Sequence, residues 1–206
     1  MPIALSLLLA AAAPADEAEY KRLDQAAACL IRRDRKAVAR WAATDPGSPE
    51  EGSTREKLRP LIAKCAGGLD SGQVAGAAAQ RLFNRYATRR ISLPAPPAER
   101  DLFANAVLQG AKDRGKEVAV LRCVVLMHPE ASEGFVRTPF GSPAEAQARP
   151  ALAAAIASCT PAGERIRWTR LSLRLGLARQ VFGTSPAAHL ARGTWGAGAE
   201  EAARAR

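Results

Sequence analysis

Apolar side chains along this chain recur at helical spacing. Over residues 17–33, Tyr20, Leu23, Ala27, Leu30 and Ile31 share one face with charges opposite, which predicts an amphipathic helix with Cys29 near its C-terminal end. Residues 118–127 have almost no polar face, so a more deeply buried helix is expected there, stopping before Pro129. Short helices are expected around 35–43 and 130–137. Helices opening at Ser48 and Ser142 then run to Cys65 and Cys159, with a kink expected at Pro60. Val74, Ala78, Leu82 and Tyr86 form a further stripe, and Leu171, Leu175, Ala178 and Phe182 form a similar one, with Asp70 or Ser71 and Thr169 available as N-caps. A helix over 99–108 is also predicted. Alternation typical of strands is missing, so the expected fold class is all-α with no β-sheet.

These elements fall in the same order twice. Cys29 and Cys65 stand 36 positions apart, as do Cys123 and Cys159, and the second pair follows the first at an offset of 94. Superposing 29–65 on 123–159 without a gap aligns several times the identities expected by chance in an alanine-rich chain, among them Thr44/Thr138, Arg55/Arg149, Leu58/Leu152 and Ile62/Ile156. The shared Gly-Ser-Pro-x-Glu, at 47–51 and 141–145, has a mechanical meaning at each position. Gly turns the chain, Ser is the N-cap, Pro suits the first helical position and Glu completes a capping box. Trp41 and Phe135 keep large apolar groups in register. The expectation is two tandem copies of a roughly four-helix unit, spanning 16–92 and 98–182 and joined by a Pro-rich junction at 93–97. A flexible tail, 183–206, is expected to follow.

An apolar run at 3–13 precedes Ala13-Pro14-Ala15, an A-x-A pattern, so 1–15 is expected to be a signal peptide cleaved after Ala15, although its n-region has no Lys or Arg. An even count of four cysteines together with an export signal predicts disulfides. Of the three possible pairings, only Cys29–Cys65 with Cys123–Cys159 respects the repeat, so one bridge is expected inside each unit. Zinc favours closely spaced pairs such as C-x-x-C, which this chain lacks.

Charge adds an attraction but no address. The net charge is +10, and residues 16–98 and 99–206 each hold 15 basic and 10 acidic side chains. Arg81, Arg85, Arg89 and Arg90 lie near Phe83 and Tyr86, and Arg170, Arg174 and Arg179 occupy a comparable place in the second unit. These seven arginines are the candidate surface for an anionic partner, whether lipid headgroups or polymers of the envelope. The aromatics at helical spacing read as core, which disfavours nucleic acid.

Other chemistry finds little material. Gly110–Glu117 follows the G-x-x-x-x-G-K pattern but ends in Glu117, where a magnesium-holding hydroxyl belongs, and no strand precedes it. Of the two histidines, His128 reads as the end of the Cys123 helix, where a cationic ring suits the dipole, and His189 falls in the expected tail. Glu51 and Glu145 are the repeated acids, and their capping position explains them. No catalytic, metal or cofactor pattern emerges. The expected function is an exported, periplasmic or secreted, non-catalytic binding or structural module of the cell envelope without a transmembrane span. The alternatives are an envelope hydrolase using paired carboxylates and a cytosolic helical protein binding nucleic acid or another anionic partner.

Overall fold

In a computed structural model, residues 14–86 and 115–192 are described, with side chains up to His189. The helix expected over 99–108, the junction 93–97, Arg89, Arg90 and the signal segment up to residue 13 lie outside these residues. The described chain forms eight helices and no strand: α1 Pro14–Ala43, α2 Pro49–Ala66, α3 Ser71–Tyr86, α4 Lys116–Met127, α5 Pro129–Arg137, α6 Pro143–Cys159, α7 Arg170–Gly183 and α8 Pro186–Arg192. The all-helical class therefore stands, and no described helix is long and apolar enough to cross a membrane.

The long α1 is two helices in sequence. Asp34 has non-helical dihedrals, φ −150° and ψ 80°, and its Oδ1 accepts from the Ala37 N–H at 2.9 Å. Asp34 thus ends one helix and N-caps the next. The break between α4 and α5 falls 94 positions later, at His128, with φ −130° and ψ 58°. There Pro129 starts the new helix. Two different local devices produce the same interruption.

The turns that follow also agree. The Thr44 hydroxyl donates to the Trp41 carbonyl at 2.7 Å, and Thr138 does the same to Phe135 at 2.7 Å. Gly47 and Gly141 then reverse the chain with φ of +77° and +80°, a region costly for other residues. Ser48 Oγ accepts from the Glu51 N–H at 3.1 Å, and Ser142 Oγ from the Glu145 N–H at 3.2 Å. The reciprocal half of the box differs from the expected form, because the glutamates accept from Gly47 and Gly141, at 2.7 and 2.6 Å. The serine N–H groups donate instead to the carbonyls of Asp45 and Pro139. Pro60 and Pro150 sit inside α2 and α6, and neither ends its helix.

Asp70 caps α3 through the Gln73 N–H, at 2.8 Å, and Thr169 caps α7 through the Ser172 N–H, at 3.0 Å. The Cys29–Cys65 bridge ties α1 to α2, and Cys123–Cys159 ties α4 to α6, with Cα atoms 5.7 and 5.8 Å apart. One continuous hydrophobic core draws on both halves, including Leu23, Leu30, Trp41 and Phe83 from the first and Phe135, Leu175 and Phe182 from the second. At its centre α3 and α7 cross in close contact at Gly76. A Cβ there would lie 2.7 Å from both the Cβ and the carbonyl oxygen of Leu175. Helix α7 is buried on nearly all sides, its polar residues Arg174, Arg179 and Gln180 included. The segment after Gly183, expected as a tail, begins with a helix instead. Ser185 Oγ accepts from the Ala188 N–H at 3.3 Å, Pro186 takes the first position, and Ala188 is buried.

Candidate anion-binding cleft

Burial of the capping glutamates decides where three arginines go. Glu51 and Glu145 are both buried, and an unpaired carboxylate there would carry a large desolvation cost. Helix α7 supplies cations to both. Arg179 reaches Glu51 Oε1 at 2.9 Å and the Thr44 carbonyl at 3.4 Å. Arg170 forks onto Glu145 with contacts of 3.0 and 2.5 Å. Arg174, fully buried, lies 3.6 Å from the same carboxylate. It also donates to Gln80 Oε1 at 3.3 Å, to the Val136 carbonyl at 3.2 Å and to the Thr138 carbonyl.

The ionisation of this cluster follows from its surroundings. Burial pushes the Glu145 carboxyl up, but the Arg170 hydrogen bond, the Gly141 N–H and the nearby charge of Arg174 outweigh it and hold the group below its ordinary value. Burial also lowers Arg174 and Arg179 from the usual arginine value, opposed by Tyr20 and Glu145 around Arg174 and by Glu51 around Arg179. These arginines are engaged inside the protein. Of the seven arginines expected to face an anionic partner, Arg174 and Arg179 are buried and Arg170 is mostly so, at 14% exposure. Arg81 and Arg85 are the two on the described surface.

Arg81 and Arg85 border a cleft of about 420 Å³ between α1 and α3. Tyr20, Asp24 and Arg32 line the α1 side, and Arg81, Arg85 and Tyr86 the α3 side. Arg81 clasps Asp24 through Nε and Nη2, at 2.5 and 2.8 Å, and that hydrogen bonding raises the arginine above its usual value. Tyr86 stands at the mouth, 37% exposed. Its hydroxyl accepts from Arg35 at 3.2 Å, and the guanidiniums of Arg35 and Arg85 lie 5.4 and 5.6 Å from its ring centroid. The Arg35 hydrogen bond lowers the Tyr86 phenol from its ordinary value. Among the described residues, Arg32, Arg35 and Arg85 have no carboxylate partner. Tyr20, also in the cleft lining, stacks on Phe140 with centroids 4.5 Å apart, and burial raises its phenol.

The sequence alone does not mark Arg32 and Arg35. They belong to the basic run at 32–36, and only the packing of α1 on α3 brings that run beside Arg85.

Among the described residues, the other candidate groups below have structural partners. His128 Nε2 lies 2.7 Å from Ser158 Oγ, but the serine hydroxyl donates to the Ala155 carbonyl at 2.8 Å. A nucleophilic serine would direct that proton to the base. In a second cleft, of about 380 Å³ beside α2, the acids are Asp34, which caps a helix, and Glu50, which lies 3.5 Å from Arg40. Lys116, from the glycine-lysine pattern, pairs with Glu164 at 2.6 Å, while 110–114 lie outside the described residues. No cluster of three or more His, Cys, Asp or Glu suited to a metal occurs among the described residues. No family model, no curated protein and no solved structure matches the chain.

Proposed function

We propose that this chain is an exported binding module of the cell envelope, built from two copies of one helical unit, and that it takes an anionic partner on the α1–α3 face without catalysing a reaction. The observation that carries the binding part is a set of exposed arginines, Arg32 and Arg85 in the cleft lining and Arg35 beside it against Tyr86, none of them in an ion pair with a described carboxylate. Guanidiniums left in this state attract phosphates and carboxylates, and at 0.15 M salt the attraction reaches about 8 Å beyond the surface.

Two further observations support the rest. Each bridge closes its own half over the same 36 positions, and disulfides persist in oxidising compartments. The helix breaks, threonine turns and serine caps of the two halves coincide at an offset of 94, as a duplicated unit would give. Against a hydrolase, Glu51 and Glu145 are held by backbone N–H groups and arginines, so neither is available to move a proton.

The test is retention of the purified, non-reduced protein on isolated anionic envelope material across a salt series. Retention that weakens steadily with salt, and weakens further in Arg32→Glu with Arg85→Glu, supports the reading. Equal retention of wild type and variant at every salt concentration would remove it.

A further inference from the structure

Resting on that reading, we propose that the α1–α3 cleft is a site for a phosphate monoester, with Arg32 and Arg85 gripping the phosphate and Arg35 adding charge at the rim. A volume of about 420 Å³ is within the range of small-ligand sites, and the lining combines charge with an apolar floor at Ile31 and Leu82. Three features favour a doubly charged group over a single carboxylate.

First, the charges come in surplus. One guanidinium is enough to fork a carboxylate, as Arg81 does to Asp24 within this cleft. Arg32, Arg35 and Arg85 then remain, and a phosphate monoester carries about −1.5 to −2 charges at neutral pH. Second, two of the three are held in place without being neutralised. Arg35 and Arg85 lie against the Tyr86 ring, which attracts a cation but carries no formal charge. Arg35 is further fixed by its bond to the Tyr86 hydroxyl. A guanidinium positioned in this way loses less freedom on binding while keeping its charge for the ligand. Third, the Asn84 amide borders the same cleft without a described partner, a donor left for a phosphate or hydroxyl oxygen. The buried Gln80 amide beside it is occupied, donating to the Val136 carbonyl at 3.0 Å.

A phosphate monoester reaches an envelope protein either as a soluble ester or as a lipid headgroup, and the experiment separates the two. Calorimetric titration with glycerol 3-phosphate tests the soluble form. Flotation with phosphatidylcholine vesicles, with and without phosphatidic acid, tests the lipid form. In either arm, the Arg32→Gln, Arg85→Gln double variant is expected to bind at least tenfold more weakly, while the exposed α2 control Arg59→Gln binds as wild type. Thermal melting of the double variant should stay close to wild type, because neither side chain has a carboxylate partner to lose and only Arg85 gives up a surface contact, with the Tyr86 ring. Acetate should not compete at concentrations where inorganic phosphate does. Binding in neither arm, or equal binding by the double variant, overturns the phosphate site. If salt-dependent retention on envelope material then persists, the module reading survives alone; if that is also lost, both fail.

Discussion

Gly76→Ala should loosen the centre of the molecule. The added Cβ would sit 2.7 Å from the Leu175 Cβ and carbonyl oxygen and 2.9 Å from its carbonyl carbon, against an ordinary carbon contact of about 3.5–4.0 Å. Two of the three nearest atoms are main chain, so no rotamer change relieves the clash and α3 must move off α7. Overpacking of this kind costs about 1–3 kcal/mol, and the rigid neighbour places this case at the upper end. Alanine's better helix propensity returns about 1 kcal/mol. The balance is a loss of about 2 kcal/mol, or roughly 4–8 °C in Tm for a chain of this size. Gly134→Ala supplies the control, since it is exposed in α5 with nothing within 4 Å of an added Cβ. It should gain about 0.5–1 kcal/mol. The assay is thermal melting of the oxidised protein followed by far-ultraviolet circular dichroism. A Gly76→Ala protein that melts at or above wild type, as Gly134→Ala should, would refute the close crossing of α3 and α7.

Four other outcomes follow from the same structure. Glu145→Gln leaves Arg170 and Arg174 without their carboxylate and should lower stability in denaturant titration by about 3–5 kcal/mol. Because the folded Glu145 has a lowered pKa, its contribution is complete above the unfolded value and is lost as pH falls through the folded one. The stability of wild type should therefore drop on the acid side more steeply than that of Glu145→Gln, and parallel acid limbs would contradict the ion pair. Removing the Cys29–Cys65 bridge by paired alanine substitution should cost about 2–4 kcal/mol, and non-reducing peptide mapping of the wild type should recover only the two intra-half pairs.

Much of the architecture was legible because its determinants are local. Ser48-Pro49 and Ser142-Pro143 announce helix starts through their own side chains, and the matched cysteine spacing selects the bridges. Ser185-Pro186 carries the same signal and begins α8, yet the small residues around it read as a tail. The arginines of α7 depart from their pattern for a different reason. The stripe Leu171, Leu175, Ala178 and Phe182 marks one buried face and implies that Arg174 and Arg179 look outward. In a helix at the centre the other face is interior too, and the buried glutamates draw the arginines into it. The available cue was an acid at the third helical position of a buried cap, which needs a cation once water is excluded. The cleft had no such cue, since Arg32 and Arg85 are brought together by helix packing alone.

The service that α7 gives to both caps makes one half depend on the other. Glu145 finds Arg170 only 25 positions away, so the second half holds the means to close its own cap. Glu51 waits for Arg179, 128 positions downstream. A chain delivered N-terminus first must keep the Glu51 carboxylate hydrated, and its surroundings open, until the last long helix arrives. The half that is made first thus depends, for its cap, on a helix of the other half.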